Sequence, residues 1–588
     1  MTFANIYHRS SDNYCYPLDK DNLIINLKTG YDIERVYLHY GDPFKSGIMG
    51  GSEQWNGKRQ EIIYKKRLPY HLWWTTTVKP EFKRCRYCFE LIDNEGNTYF
   101  YFEDKIYSEE ELKKLHHGVQ YFSFPWMNEV DINKVPEWVN RTLWYQIFPE
   151  RFCNGDSKLD PKGVLPWAGP DTPVKNDQFY GGDLVGLTNK LKYLQELGVT
   201  GLYLTPINES PSSHKYDTID YLTVDQHFGD ATIMKQMVSK AHELGIKVML
   251  DGVFNHLGSH SMQWRDVVEK GPDSAYYDWF MVNEWPFDEK GGNAHKGKYY
   301  TFAFHDKMPK LNTSNPKVRE YIINICAFWI KEYDIDAIRL DVANEISHRL
   351  CKEMRIALKE IKPDIYILGE VWNDSITWLR GDEFDAVMNY PLRETIFSFW
   401  LEENYTKKQF EEDINQCYTQ YMQQTNDVLF NLLDSHDTER ISNRIAEADK
   451  IYQQLAVLYT MPGSPCIYYG TEVLLKGAHD PDCRRCMPWQ QIEEGLYDES
   501  IGIIRKLMHL RKNEDLFRSR NFHFTDNIPN DRVLEYIKID DYDHDKMAVI
   551  LNCSKESIKI DMPAGEILFS NLYKEEILQP NGILIYRI

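Results

Sequence analysis

A helix-then-strand unit that recurs through the middle of the chain constrains the fold more than any other feature. DLVGLTNKLKYLQELG (183–198) puts Leu184, Leu187, Leu191, Leu194 and Leu197 on one helical face and stops at Gly198, a natural helix end. VTGLYLTP (199–206) follows as a short strand of buried type. ATIMKQMVSKAHELG (231–245) leads likewise into IKVMLDGVFNH (246–256). NPKVREYIINICAFWIKEY (315–333) leads into DIDAIRLDV (334–342), and HRLCKEMRIALKEIKP (348–363) into DIYILGEVW (364–372). Helices alternating with short apolar strands predict a parallel sheet, and this many repeats predicts closure into a (β/α)₈ TIM barrel, assigned to 140–515.

The remaining sequence predicts a multi-domain chain, because 588 residues exceed one compact core. Residues 1–125 are rich in Tyr, Val and Ile between turn residues, which predicts an N-terminal β-sandwich of about seven short strands. A linker covers 126–139. The Gly- and aromatic-rich stretch at about 257–314, after the third barrel strand, is too long for a bare loop and predicts an inserted subdomain. DRVLEYIKID, KMAVILNC, SIKIDMP and GILIYRI predict a C-terminal antiparallel β domain over 516–588.

Composition removes several classes of function. Lys plus Arg total 68 against 89 Asp plus Glu, a net charge of −21, so nucleic acid is a poor partner. No apolar run reaches the length of a membrane span. MTFANIYHRSSDNYCY lacks the basic start and apolar stretch of a secretory signal, so a cytoplasmic location is expected. The 11 cysteines are an odd number and suit free thiols. Cys85 and Cys88 lie in a strand-like stretch and point to opposite faces, so they do not chelate together. Aromatic residues make up 14%, which fits stacking on sugar rings and equally a tyrosine-rich core. Trp55, Trp73 and Trp74 could form a sugar platform or be buried between sheets.

The apolar strands end in acids. VML runs into Asp251, AIRL into Asp341, YILG into Glu370, and LFNLL into Asp434 and the pair His436-Asp437. A carboxylate at the end of a buried strand is costly unless paired or used, and a barrel's reactive groups sit at the C-terminal ends of its strands. Two convergent carboxyl groups in an aromatic pocket suit glycoside hydrolysis: one attacks the anomeric carbon, and the other gives a proton to the leaving oxygen and then activates water. Arg339 precedes Asp341 by two, so both face one side of the strand, and its cation is expected to hold Asp341 ionised.

DGVFNH (251–256), AIRLDVANE (337–345), LGEVW (368–372) and LLDSHD (432–437) resemble, in order, the four conserved regions of the alpha-amylase superfamily, glycoside hydrolase family 13. The resemblance implies Asp341 as nucleophile, Glu370 as acid/base and Asp437 as the third carboxylate. It implies that Arg339, His256, His436 and Trp372 line the sugar site. HKYD (214–217) is similar to the loop whose tyrosine, here Tyr216, stacks under the sugar beside His214. MPKLN (308–312), the VANE ending at Glu345 and the leading β domain resemble the neopullulanase, cyclomaltodextrinase and maltogenic amylase group. HDPDCR (479–484) resembles a segment in which Asp480 and Arg484 contact a sugar beyond the cleavage point.

That group implies a retaining α-glycoside hydrolase acting on α-1,4 links of cyclodextrins and maltooligosaccharides, and on pullulan or starch, with some transglycosylation. It implies a starch-binding-type N-terminal domain through which a homodimer forms. It also implies a structural calcium ion, and no organic cofactor, with Asn154, Asp156, Asp160, Asp183 and the Gly181 carbonyl as oxygen ligands. Leu159 stands where the family usually has another Asn ligand, and Asn373 where relatives often carry His. Two other readings stay open: an α-1,6-directed glucosidase or transferase on the same barrel, and a non-catalytic carbohydrate-binding scaffold.

Overall fold

The computed structural model describes residues 2–45, 57–115, 118–540, 544–561 and 565–588. The chain forms two compact units. One comprises Met1–Lys134, Asp374–Asp382 and Phe397–Asn426; the other comprises Val135–Asn373, Glu383–Ile396 and Asp427–Ile588.

The first unit is built on two antiparallel sheets. Cys15–Pro17, Leu23–Thr29, Leu72–Val78 and Tyr64–Arg67 form one. Lys58–Glu61, Ile33–Gly41, Cys85–Asp93, Thr98–Tyr101 and Ile106–Ser108 form the other, with Phe122–Phe124 beside Cys85–Asp93. Alternate residues of both sheets, among them Leu23, Ile25, Val36, Leu38, Tyr87 and Phe89, share one core, which makes this a sandwich. It has ten described strands rather than about seven, because short edge strands of three or four residues carry weak alternation. Trp74 belongs to the core and donates Nε1–H to Thr29 Oγ1 at 2.9 Å, while Trp73 packs with Tyr14 and Leu68. Trp74 is therefore buried between the sheets, whereas Trp73 faces the other side of its strand and is buried under Tyr14 and Leu68; Trp55 lies outside the described residues. Cys85 and Cys88 fall in different apolar clusters, as their spacing requires. A helix at Lys407–Cys417 joins this unit, with Arg67 Nε 2.6 Å from Glu412 Oε1 and Asn13 donating to the Thr419 carbonyl at 2.8 Å.

The second unit contains the barrel. Its strands are β1 Trp144–Ile147, β2 Gly201–Leu204, β3 Lys247–Gly252, β4 Ala337–Leu340, β5 Tyr366–Gly369, β6 Ala386–Val387, β7 Phe430–Asn431 and β8 Ser464–Tyr468. They pair in parallel in the order β6-β5-β4-β3-β2-β1-β8-β7, and a parallel bridge from Met388 to Phe430 closes the ring. The four-residue strands β1, β2, β4 and β5 are buried throughout, as strands covered on both faces should be. Helix α1 (Leu184–Leu197) is capped by Asp183, which accepts from Gly186 N at 2.6 Å, and ends at Gly198 with φ 111°. Helices α2 (Ala231–Glu243), α3 (Pro316–Tyr333) and α4 (His348–Ile361) follow the sequence expectation.

Residues 257–314 fold as an insert with their own helix at Met262–Lys270 and an aromatic cluster of Trp264, Phe280, Phe287 and Tyr299. Isolated bridges at His256–Lys310 and Phe280–Leu311 tie it down. A C-terminal antiparallel sheet is centred on Val533–Ile539, Lys546–Asn552 and Ile577–Arg587. Among the described residues, no helix is long and apolar enough to cross a membrane.

Candidate active site

The site starts from Arg339 on β4, whose side chain is wholly buried. One terminal nitrogen, Nη1, lies 2.8 and 2.9 Å from the two oxygens of Asp251 at the end of β3, and 2.7 Å from Asp341 Oδ1 just beyond β4. The other, Nη2, lies 2.8 Å from Glu370 Oε2 just beyond β5. Three adjacent strands thus deliver one carboxylate each to one guanidinium, because in register parallel strands end at the same height. Isolated in a buried site each acid would be prohibitive; around a shared cation they are tolerable.

Glu370 is held from both sides. Val342 N–H donates to Oε2 at 2.9 Å and Trp372 Nε1–H to Oε1 at 3.0 Å. Val342 sits in the left-handed region at φ 46°, a costly conformation for a β-branched residue, and this turn aims its N–H at the carboxylate. The Trp372 ring lies flat on Tyr390, with centroids 3.7 Å apart.

A second set of side chains converges from β7 and the loops. Gln146 of β1 donates to His436 Nδ1 at 2.7 Å, which leaves the ring proton on Nε2, toward Tyr216 and Asp437. Tyr216 lies parallel to His436 and donates its hydroxyl to Asp251 Oδ2 at 3.0 Å, as Tyr203 does at 2.8 Å. Arg484 joins Asp437 and Asp480, 3.4 and 2.7 Å away, and donates to the His436 carbonyl at 3.0 Å. His256 faces the Tyr216 carbonyl at 3.0 Å. Lys310 of the MPKLN stretch pairs with Glu345 of VANE at 2.9 Å, so two motifs distant in sequence meet.

His214, Tyr216, His256, Asp341, Glu345, Glu370, Trp372, Asp437, Asp480 and Arg484 all line one cleft of about 1170 Å³. Arg339 and His436 stand in the wall behind it. Asp434 is directed elsewhere: it accepts from Ile441 N at 3.1 Å and serves as a buried structural acceptor. Sequence reasoning named Asp251 as a strand-end carboxylate without giving it a role, and left Tyr203 and Gln146 out of the site, although each sits on a barrel strand at the height of the named residues. It also missed the insert's contribution, including Phe302 and Phe304, which line the same cleft.

Burial sets the electrostatics. It pushes Asp341 well above the usual carboxylate range; Arg339 opposes the shift, while Glu370, Asp251 and Asp437 add to it. The expectation that the Arg339 cation would hold Asp341 ionised is therefore corrected: Arg339 opposes the rise but does not cancel it, because the one cation is shared by three acids. Asp251 is raised by burial against the same cation. Burial lowers His214 and His256 to about 4 and His436 well below its usual value, so all three are neutral near pH 7.

The residues expected to hold calcium lie apart from these carboxylates. Asn154 donates to Asp160 Oδ1 at 2.7 Å, and a Cβ built on Gly181 would come within 2.3 Å of that oxygen and 2.5 Å of Asn154 Nδ2. These three form a close oxygen-bearing cradle that only glycine permits. Asp183 is engaged as a cap by the N–H groups of Gly155, Asp156 and Gly186, and Asp156 accepts from Lys158 N. Leu159 contributes only its carbonyl, which faces His227 at 2.9 Å. Among the described residues no group of three or more His, Cys, Asp or Glu side chains could hold a metal ion, so an ion there would rest on amide and carbonyl oxygens as well.

Residues 146–504 match the family described as "Alpha amylase, catalytic domain", and residues 1–128 match "Alpha amylase, N-terminal ig-like domain". A protein named intracellular maltogenic amylase from Bacillus subtilis is 42% identical, over 88% of this chain and 85% of its own length. A cyclomaltodextrinase from Geobacillus thermopakistaniensis is 41% identical over 99% of both chains. A solved structure named cyclomaltodextrinase superposes with a TM-score of 0.87 at 34% identity, over all of this chain and 98% of the other.

Proposed function

The chain belongs to the alpha-amylase family, as a glycosidase of its cyclomaltodextrinase, maltogenic amylase and neopullulanase group, and from that premise we propose its reaction in detail. It cleaves α-1,4-glucosidic bonds of cyclodextrins and maltooligosaccharides, and more broadly of pullulan and starch, with retention of configuration and some transfer to sugar acceptors. Asp341 attacks the anomeric carbon and forms a covalent glycosyl-enzyme. Glu370 gives its proton to the departing oxygen, then takes one from the water or sugar hydroxyl that releases the glycosyl group. Asp437, paired with Arg484, accepts hydrogen bonds from sugar hydroxyls.

The observation that carries this reading is that one guanidinium bridges Asp341 and Glu370 at the wall of the cleft. Two carboxyl groups gathered on one guanidinium at the wall of one cleft can serve a single scissile bond, one as nucleophile and the other as acid/base. The test is reducing-sugar release from β-cyclodextrin, expected from the wild type. Binding without turnover at any pH would instead favour a carbohydrate-binding scaffold.

Calcium would serve as a structural ion, on the oxygens of Asn154 and Asp160 and the Gly181 carbonyl. Incubation with EDTA should then lower Tm, and calcium in excess should restore it; an unchanged Tm rejects the ion. The N-terminal sandwich would pair two copies, so light scattering on the full chain should give twice the chain mass, and the mass of one chain rejects the dimer. A cytoplasmic location agrees with the name of the Bacillus subtilis relative and would appear as activity confined to the soluble lysate fraction.

A further inference from the structure

The insert brings a second aromatic surface to the cleft. Phe302, Ala303 and Phe304 form a tight turn held by the Thr301–Pro309 bridge and by His305 N donating to the Phe302 carbonyl at 2.8 Å. Two consecutive non-glycine residues in that turn are left-handed, Ala303 at φ 44° and Phe304 at φ 62°. A residue bearing a Cβ is strained there, and strain of this kind persists where surrounding structure imposes it. Its product here is an outward ring: Phe304 is 63% exposed, although an apolar side chain of that size gains nothing from water.

That ring has a partner of the same shape. His295, from another loop of the insert, lies face to face with Phe304, with centroids 4.9 Å apart and planes 8° apart. Asp306 fixes the two loops by accepting from the N–H groups of Asn293 and Ala294 at 3.0 and 2.8 Å. Phe304 and His295 both line the cleft that holds Asp341 and Glu370. They belong to neither the insert's aromatic cluster nor the hydrogen-bonded shell around the carboxylates. A flat apolar face presented in a sugar cleft matches the C–H face of a glucose ring.

We propose that Phe304, braced by His295, is an outer sugar-stacking platform that favours ring-closed and longer α-glucans over short ones. The inference rests on the α-glucan reading of the cleft. A glucan long enough to reach the insert gains one stacked ring; a short one, seated at the carboxylates, gains little. Phe304 is a specificity residue and touches none of the reacting atoms.

The test compares kcat/KM for β-cyclodextrin and for maltotriose in the wild type, Phe304→Gly and Phe304→Trp. Loss of one stacking contact should lower the cyclodextrin value in Phe304→Gly by about threefold to tenfold. The ratio of the cyclodextrin to the maltotriose value should fall with it. Glycine accepts a left-handed φ freely, so Tm should hold or rise in the same variant, which separates stacking from a structural role. Phe304→Trp keeps a flat ring and should restore the ratio. An unchanged ratio in Phe304→Gly, or equal losses on both substrates together with a lower Tm, overturns the platform. A wild type that hydrolyses neither sugar overturns the glucan reading itself, and the platform with it.

Discussion

Asp341→Asn is expected to lower kcat on β-cyclodextrin by about ten-thousandfold or more, leaving sugar binding measurable by calorimetry. The exchange preserves shape and removes only the charged nucleophile, so the loss falls on bond formation at the anomeric carbon rather than on the cleft. The residue is buried and touches Arg339, so folding must be checked. A smaller charge in the cluster leaves Arg339 still facing Asp251 and Glu370, so Tm should change by a few degrees at most. A variant that keeps more than about a hundredth of wild-type kcat with an intact Tm would remove Asp341 from the nucleophile's role. The wild-type pH profile bears on the same group. Asp341 must be ionised to attack, and burial raises it, so kcat/KM should fall on the acid side at a higher pH than an exposed aspartate would give.

The barrel was legible because its evidence is local and repeated. The Leu184–Leu197 stripe, the Gly198 stop and the apolar strands each say the same thing, and closure of the sheet follows from their number. The sandwich was legible in kind, yet its short edge strands were not, since three or four residues show little alternation. Nothing in the sequence tells that Asp374–Asp382 and Phe397–Asn426 belong to the first compact unit, because that membership depends on pairings such as Arg67 with Glu412, far apart in the chain. Trp73 and Trp74 illustrate a different limit: aromatic residues in a β domain read equally as platform or core, and only the strand's facing decides.

In the site, position at a strand end found the acids but not their division of labour. Asp251 and Asp434 look alike in sequence. One is gathered by Arg339 and the other caps a turn near Ile441. The left-handed Val342, whose N–H holds Glu370, and the strained Ala303-Phe304 pair carry no sequence signal at all. Their backbone conformations are imposed by tertiary structure against local preference, and such places escape reasoning from local propensity.

Glu370→Gln should separate the two chemical steps. On β-cyclodextrin, whose leaving group is a sugar alkoxide, loss of the proton donor should cost about a hundredfold to ten-thousandfold in kcat. On an aryl maltoside with an acidic phenol as leaving group, the first step needs no proton, so the burst of released phenol should persist and only turnover of the glycosyl-enzyme should slow. As the proton donor, Glu370 carries its proton and no charge while Asp341 attacks, so a neutral amide in its place should leave the acid limb of the burst rate on the aryl substrate where the wild type has it. Val342 N–H and Trp372 Nε1–H have only one amide oxygen to share in the variant, and that loss of orientation acts alike on both substrates. Equal losses on cyclodextrin and aryl maltoside would therefore assign Glu370 a purely positional part and take the proton donor's role away from it.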